Sequence, residues 1–202
     1  MAASTDNYAS SHSPRCALEF TLVAIWERLL GVSPIGIHDD FFKLGGDSIS
    51  AMAVLALIAR ETGYPLPAGG LLQAPTIGRL AQLMTTEADP ENWSPMVPIQ
   101  TDGSRPPLFC IHPGGGNVLC YLQLAKHLGS DQPFYALQAP GVDGIRPPLD
   151  SVVAMAEEYV AAIRIVQPKG PYYVAGWSAG GVIAFEVAQQ LLSAGESIAH
   201  LA

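Results

Sequence analysis

"PYYVAGWSAGG", Pro171 to Gly181, decides how the second half of this chain folds. An apolar run rich in aromatics leads into Gly-x-Ser-x-Gly on Gly176, Ser178 and Gly180, and a helical pattern follows. That pattern reads as a strand turning sharply into a helix, with a serine held out at the elbow. Ala179, Gly180 and Gly181 are small because strand and helix must pack closely there. A serine hydroxyl is a weak nucleophile until a base takes its proton and an acid orients that base. In this arrangement the acid and then the histidine follow the serine along the chain. Only 21 residues remain after Gly181.

Upstream of the elbow the chain alternates. Strands are expected at Leu108–Ile111, Phe134–Leu137, Tyr172–Ala175 and from Ser197 onward, with helices near Val118–Leu128, Val152–Val166 and Ala179–Ser193. Alternating strands and helices imply a mostly parallel sheet with helices on its faces.

The first half has another rhythm. Leu18, Leu22, Ile25, Trp26 and Leu29 form one apolar stripe on a first helix. A long loop, "GVSPIGIHDDFFKLGG", precedes a second helix that starts at Asp47–Ser48 and runs to Glu61, with Gly63 as its stop signal. That helix is apolar nearly all round, which predicts the centre of a small bundle. Thr76 is the expected N-cap of a last helix that buries Ile77, Leu80, Ala81 and Met84. "TTEADPENWSP", Thr85 to Pro95, is polar and turn-rich and reads as a linker. The expected organisation is a polar tail over 1–16, a helical domain over 17–86, a linker over 87–96 and an α/β domain over 97–202.

Composition narrows the function. Of 202 residues, 49% are apolar and 14% charged, which describes a globular chain. Ten Lys+Arg against 18 Asp+Glu give a formal charge of −8 without a basic run. That argues against nucleic acid or an anionic membrane as partner. The longest apolar run, "AMAVLALIA", is far too short to span a bilayer, and the N-terminus has no signal-peptide core. Cys16, Cys110 and Cys120 lack metal spacing. They read as reduced thiols, and the expected compartment is cytoplasmic.

Two serines carry the chemistry. In "DDFFKLGGDSIS", Gly45 and Gly46 allow a tight turn, and Ser48 then stands in the first turn of a helix. The positive end of the helix dipole and its free N–H groups favour a phosphate on that hydroxyl. On spacing alone, Asp47 or Ser48 could equally be a simple N-cap. "FFKLGGDSI" between an amphipathic helix and "LLQAPTIGRLAQLM" resembles the peptidyl or acyl carrier domains of nonribosomal peptide and polyketide synthetases. The resemblance implies a four-helix bundle with 4′-phosphopantetheine on Ser48, installed from coenzyme A by a phosphopantetheinyl transferase. Phe41, Phe42 and Leu44 are expected to anchor the loop to the bundle, while Ile49 and Met52 offer apolar contacts to partners.

"PPLFCIHPGGGNVLCYLQLAKHL" invites comparison with a dinucleotide fingerprint. Leu119 stands where the third glycine belongs, however, and Gln138 and Ala139 where an acid belongs. An oxyanion loop fits better. Acyl transfer puts negative charge on a former carbonyl oxygen, and fixed backbone N–H donors stabilise it. The expected donors are Ala179, just after the nucleophile, and Gly114 or its neighbour Gly115. His112 precedes the serine in the chain and reads as a structural hydrogen-bonding residue rather than the base. Together "VPIQTDGSRPPLFCIHPGGGN" and "YYVAGWSAGGVIAFEVAQQL" resemble the thioesterase domains that end such synthetases, with an α/β-hydrolase fold.

Downstream of Ser178 the candidates for acid and base are Glu186, Glu196 and His200. A helix of about 14 residues carries the chain roughly 21 Å from the elbow, so Glu196 is expected at the far edge of the sheet. A strand returns only about 3.3 Å per residue, too little to bring His200 back. Glu186 lies about two turns along the helix. The resemblance places the acid after the next strand and the histidine beyond a lid, so the expectation is a carrier followed by an incomplete thioesterase. The partners it implies are upstream condensation, adenylation or ketosynthase domains and an acyl or peptidyl thioester substrate. Two other readings are a carrier with an inert C-terminal remnant and a free-standing serine esterase.

Overall fold

The computed structural model describes residues 13–66, 69–85, 93–142 and 146–202. They fall into two compact units that divide between residues 88 and 89. Most of the polar tail, and most of the stretch read as a linker, lie outside the described residues.

The described residues of the first unit form four helices: α1 (Ala17–Leu30), α2 (Ser48–Thr62), the single turn α3 (Gly70–Gln73) and α4 (Ile77–Thr85). Leu22, Ile25 and Trp26 of α1 are fully buried, as are Val54 and Ile58 of α2 and Ile77 and Leu80 of α4. Each such aliphatic side chain contributes roughly 1.5–3 kcal/mol of transfer free energy. Phe41 is buried in the long loop, its ring 5.0 Å from that of Trp26 in an edge-on contact. It anchors the loop as its apolar character predicts. Thr76 caps α4, its hydroxyl accepting from the Arg79 N–H at 3.3 Å.

One expectation for α2 is corrected. Its apolar residues do not make it a helix buried all round: Ala51, Val54, Leu55 and Ile58 face the core, whereas Ile49 is 80% and Met52 50% exposed. The bundle is too small to wrap a 15-residue helix on every side.

The second unit is a five-stranded sheet in the order β1-β3-β2-β4-β5. Its strands are β1 (Met96–Gln100), β2 (Leu108–Ile111), β3 (Phe134–Leu137), β4 (Tyr172–Gly176) and β5 (Ile198–Leu201). All neighbours are parallel except the β1–β3 pair. The sequence reading missed β1, because Pro98 cannot donate to a ladder and such a residue is confined to an edge. The helices are α5 (Leu122–Leu128), preceded by the 3₁₀ turn Leu119–Tyr121, then α6 (Val152–Val166) and α7 (Ala179–Ser193). Phe109, Ile111, Tyr159, Tyr172, Val174, Ile183, Val187 and Leu191 make the central core between sheet and helices. No helix among the described residues is long and apolar enough to cross a membrane.

Candidate functional site

The two serines singled out in the sequence each stand at a helix N-terminus, one in each unit. At the first, Asp47 is the cap. Its carboxylate accepts from the Ser50 N–H at 2.8 Å, while the Ser50 hydroxyl accepts from the Asp47 N–H at 2.7 Å. The Ser50 N–H, and the Ser50 hydroxyl donating at 2.7 Å, hold the Asp47 carboxyl below the usual carboxylate range. Capping is therefore complete without Ser48. The Ser48 hydroxyl is half-buried and makes no hydrogen bond among the described residues, and exposed Ile49 and Met52 flank it. The reciprocal Asp47/Ser50 box was legible as two capping residues three apart, a signal the sequence reading did not use.

The second serine sits at the strand–helix elbow. Ser178 has φ 59°, ψ −122°, the single positive φ outside glycine among the described residues. Such backbone conformations cost roughly 1–3 kcal/mol and persist where the surroundings impose them. Here α7 imposes it. A Cβ on Gly180 would meet the carbonyl oxygens of Ile111 and His112, so only glycine lets α7 approach the end of β2. Ser178 is exposed and its side chain makes no hydrogen bond among the described residues, and Trp177 beside it is 64% exposed.

The glycine loop lies at the same end of the sheet. Ile111 pairs with Gly176 across parallel strands, so the segments after β2 and β4 both emerge at the carboxyl edge. That edge is where parallel α/β sheets bind ligands. Gly116, at φ 80°, packs against Ala139 and accepts from its N–H at 2.9 Å, which turns the loop back onto the strand after β3. Gly114 and Gly115 are exposed and their N–H groups have no acceptor among the described residues. Ala179 opens α7, so its N–H lacks an intrahelical acceptor.

His112 is buried under this loop. Its Nδ1–H donates to the Pro113 carbonyl at 2.8 Å, and its Nε2 accepts from the Tyr159 hydroxyl at 2.8 Å. Burial pushes its pKa down, so the ring is neutral and locked in one tautomer. This is the structural hydrogen-bonding part that the chain order assigned to it. Tyr121, from the turn after the glycine loop, donates its hydroxyl proton to the Ile111 carbonyl at 2.6 Å and accepts from the Trp177 N–H at 3.0 Å. Nothing in the sequence announced the parts played by Tyr121 and Tyr159, since an interior tyrosine's partner depends on the tertiary fold. Cys110 is buried and its thiol is pushed up to about 12, which leaves it unreactive.

The three downstream candidates are not brought to Ser178. Glu196 accepts from the Gly170 N–H at 3.0 Å and lies 3.7 Å from Arg164, at the amino end of β4. Glu186 accepts from the Gln190 side chain at 3.0 Å. His200 pairs in register with Tyr173, well back along β4. No metal cluster forms among the described residues.

Comparison with known proteins gives two family matches: the phosphopantetheine attachment site over residues 21–84 and the thioesterase domain over 106–202. The chain is 38% identical over 193 residues to a dimodular nonribosomal peptide synthase of Bacillus subtilis, covering 95% of this chain and 8% of that protein. It is 40% identical over 191 residues to malpibaldin synthetase of Mortierella alpina, covering 94% of this chain and 3% of that protein. A solved four-domain nonribosomal peptide synthetase, in its holo form with AMP and glycine, matches 93% of this chain and 14% of its own at 32% identity and a TM-score of 0.53. The chain thus spans a small part of the length of these relatives.

Proposed function

The chain belongs to the phosphopantetheine-attachment family over residues 21–84 and to the thioesterase-domain family over 106–202, and from that premise we propose that it is the carrier–thioesterase region of a nonribosomal peptide synthetase. Ser48 is the attachment residue for 4′-phosphopantetheine. The observation that carries this assignment is the division of labour at the start of α2: Asp47 and Ser50 satisfy each other, and the Ser48 hydroxyl is left over. The site fits the group, because the helix N-terminus favours its phosphate and no hydrogen bond must break to expose the hydroxyl. When bound, the group supplies a thiol on a flexible tether, where an acyl or peptidyl thioester is held at high effective concentration.

Ser178 is the acyl-accepting nucleophile. The Gly114 and Ala179 N–H groups, with Gly115 beside the first, receive the oxyanion charge that develops when the serine attacks an acyl carbonyl. Tyr121 and His112 hold the two donor segments in place from beneath. The partners are a phosphopantetheinyl transferase, upstream synthetase domains that load the carrier, and the thioester substrate.

A fluorophosphonate probe tests the second serine. No described base is bonded to Ser178, so the expected result is slow, stoichiometric labelling that Ser178→Ala removes. Labelling that persists in Ser178→Ala would take the nucleophile elsewhere, and a wholly unlabelled chain would mean that the oxyanion donors are not in place.

A further inference from the structure

Outside both serine sites, the helical unit carries a cavity of about 530 Å³ lined by Arg15, His38, Asp40, Lys43, Thr76 and Arg79, with neighbouring residues of the same segments. Its two walls are fixed to each other. Asp40 and Thr76 form an isolated antiparallel bridge, Phe41 N–H donates to the Pro75 carbonyl at 2.8 Å, and Gly78 N–H donates to the Ile37 carbonyl at 2.8 Å. Lys43 stands three residues beyond one end of that bridge and Arg79 three beyond the other. The bridge therefore sets one cation on each wall, and Arg15 enters from the segment before α1.

Charge accounting singles the cavity out. The chain carries −8, and the described helical unit holds five cations: Arg15, Arg28, Lys43, Arg60 and Arg79. Arg28 and Arg60 both pair with Glu61, away from the cavity. The other three line it. Glu19 offsets Arg15, and Asp40, held by backbone donors, offsets only part of the charge of Lys43 and Arg79, so the cavity keeps a net positive charge. The 3%-exposed Glu19 accepts from the Arg15 N–H and side chain, each at 2.6 Å. The Asp40 carboxylate accepts from the Phe42 N–H at 2.9 Å and the Lys43 N–H at 3.2 Å. Lys43 and Arg79 have no ion pair among the described residues. Like charges gathered in one concave site repel each other and attract an anion more strongly than the same charges on a flat surface.

We propose that this cavity docks an acidic peptide segment of a protein partner, with carboxylates bridging Lys43 and Arg79. Its volume is of the size that takes a stretch of side chains rather than one small ion. Its cations sit on opposite walls, which suits two spaced carboxylates better than a single oxyanion. The proposal is independent of the assignments of Ser48 and Ser178, since neither residue lines the cavity.

The test uses the full ¹⁵N-labelled chain and a short synthetic peptide alternating Glu and Ala, with a Gln/Ala peptide as the uncharged control. The Glu peptide is expected to shift the amides of Lys43, Thr76, Gly78 and Arg79, the control to shift none, and added salt to weaken the effect. Lys43→Glu/Arg79→Glu should weaken binding at least about tenfold through loss of charge complementarity. The milder Lys43→Gln/Arg79→Gln variant does the same if charge reversal unfolds the unit, which amide dispersion reports. Shifts spread over Arg105, Lys126 and Lys169 of the other unit, or unchanged affinity in both double variants, would overturn the proposal. Inorganic phosphate is the competitor: displacement of the peptide by phosphate alone would make this a single-oxyanion site and contradict the assignment, whereas retention of the peptide supports it.

Discussion

The hydroxyl of Tyr121 accepts the Trp177 N–H at 3.0 Å while donating to the Ile111 carbonyl at 2.6 Å. One side chain thereby ties the residue preceding the elbow serine to the end of the neighbouring strand. The tyrosine belongs to the turn that leaves the glycine loop, so loop, strand and elbow share a single buried oxygen.

Tyr121→Phe removes that oxygen and leaves a carbonyl and an N–H without partners. The expected cost is about 1–3 kcal/mol, because groups stranded in the interior lose their hydration as well. Urea unfolding measures it. Amide exchange at Trp177 should quicken far more than exchange along α7.

Ser178 holds its strained backbone without needing a side chain to do so. Ser178→Gly should therefore stabilise the α/β unit by about 1 kcal/mol, while Ser178→Ala changes stability little. Thermal unfolding of the two variants side by side separates strain from lost hydroxyl contacts.

Gly180 works in the opposite sense. A methyl group there meets the Ile111 and His112 carbonyl oxygens, so Gly180→Ala should cost about 1–3 kcal/mol as α7 is forced off β2. Differential scanning calorimetry reads the loss in the α/β unit.

His112 makes that unit sensitive to acid. Burial lowers its pKa in the folded state, so the unfolded chain takes up a proton first, near the ordinary histidine value of about 6.5. Stability is full above that value and falls as pH drops from it towards the folded pKa, because the unfolded state then binds more protons. Chemical unfolding between pH about 7.5 and about 5 should show a slope in the native protein that is smaller in His112→Gln.

Much of this was legible in the residues. The stripe of Leu22, Ile25 and Trp26 and the run Ile77, Leu80, Ala81 and Met84 announced their buried faces through helical periodicity alone. The strands of the parallel sheet read as short apolar runs bounded by turns. What escaped depends on partners distant in sequence. β1 is recognisable only beside β3, because its proline weakens the strand signal. The exposed side of α2 follows from bundle size rather than from the helix itself. Tyr121 and Tyr159 look like ordinary core aromatics until the elbow and the glycine loop come within reach of their hydroxyls. The distance argument that kept Glu196 from the elbow needed only helix rise, and its contact with Gly170 at the opposite end of β4 agrees with it.

Intact-mass and tryptic-peptide mass spectrometry, after incubation with coenzyme A and a phosphopantetheinyl transferase, reaches the account most directly. It is applied to the native chain, Ser48→Ala and Ser50→Ala. The predicted result is one added phosphopantetheinyl group on the peptide holding Ser48, absent in Ser48→Ala and retained, if slowed by the lost cap, in Ser50→Ala. No added mass on the native chain, or a group that persists in Ser48→Ala, would contradict the division of labour between the capping pair and the serine whose hydroxyl they leave unbonded.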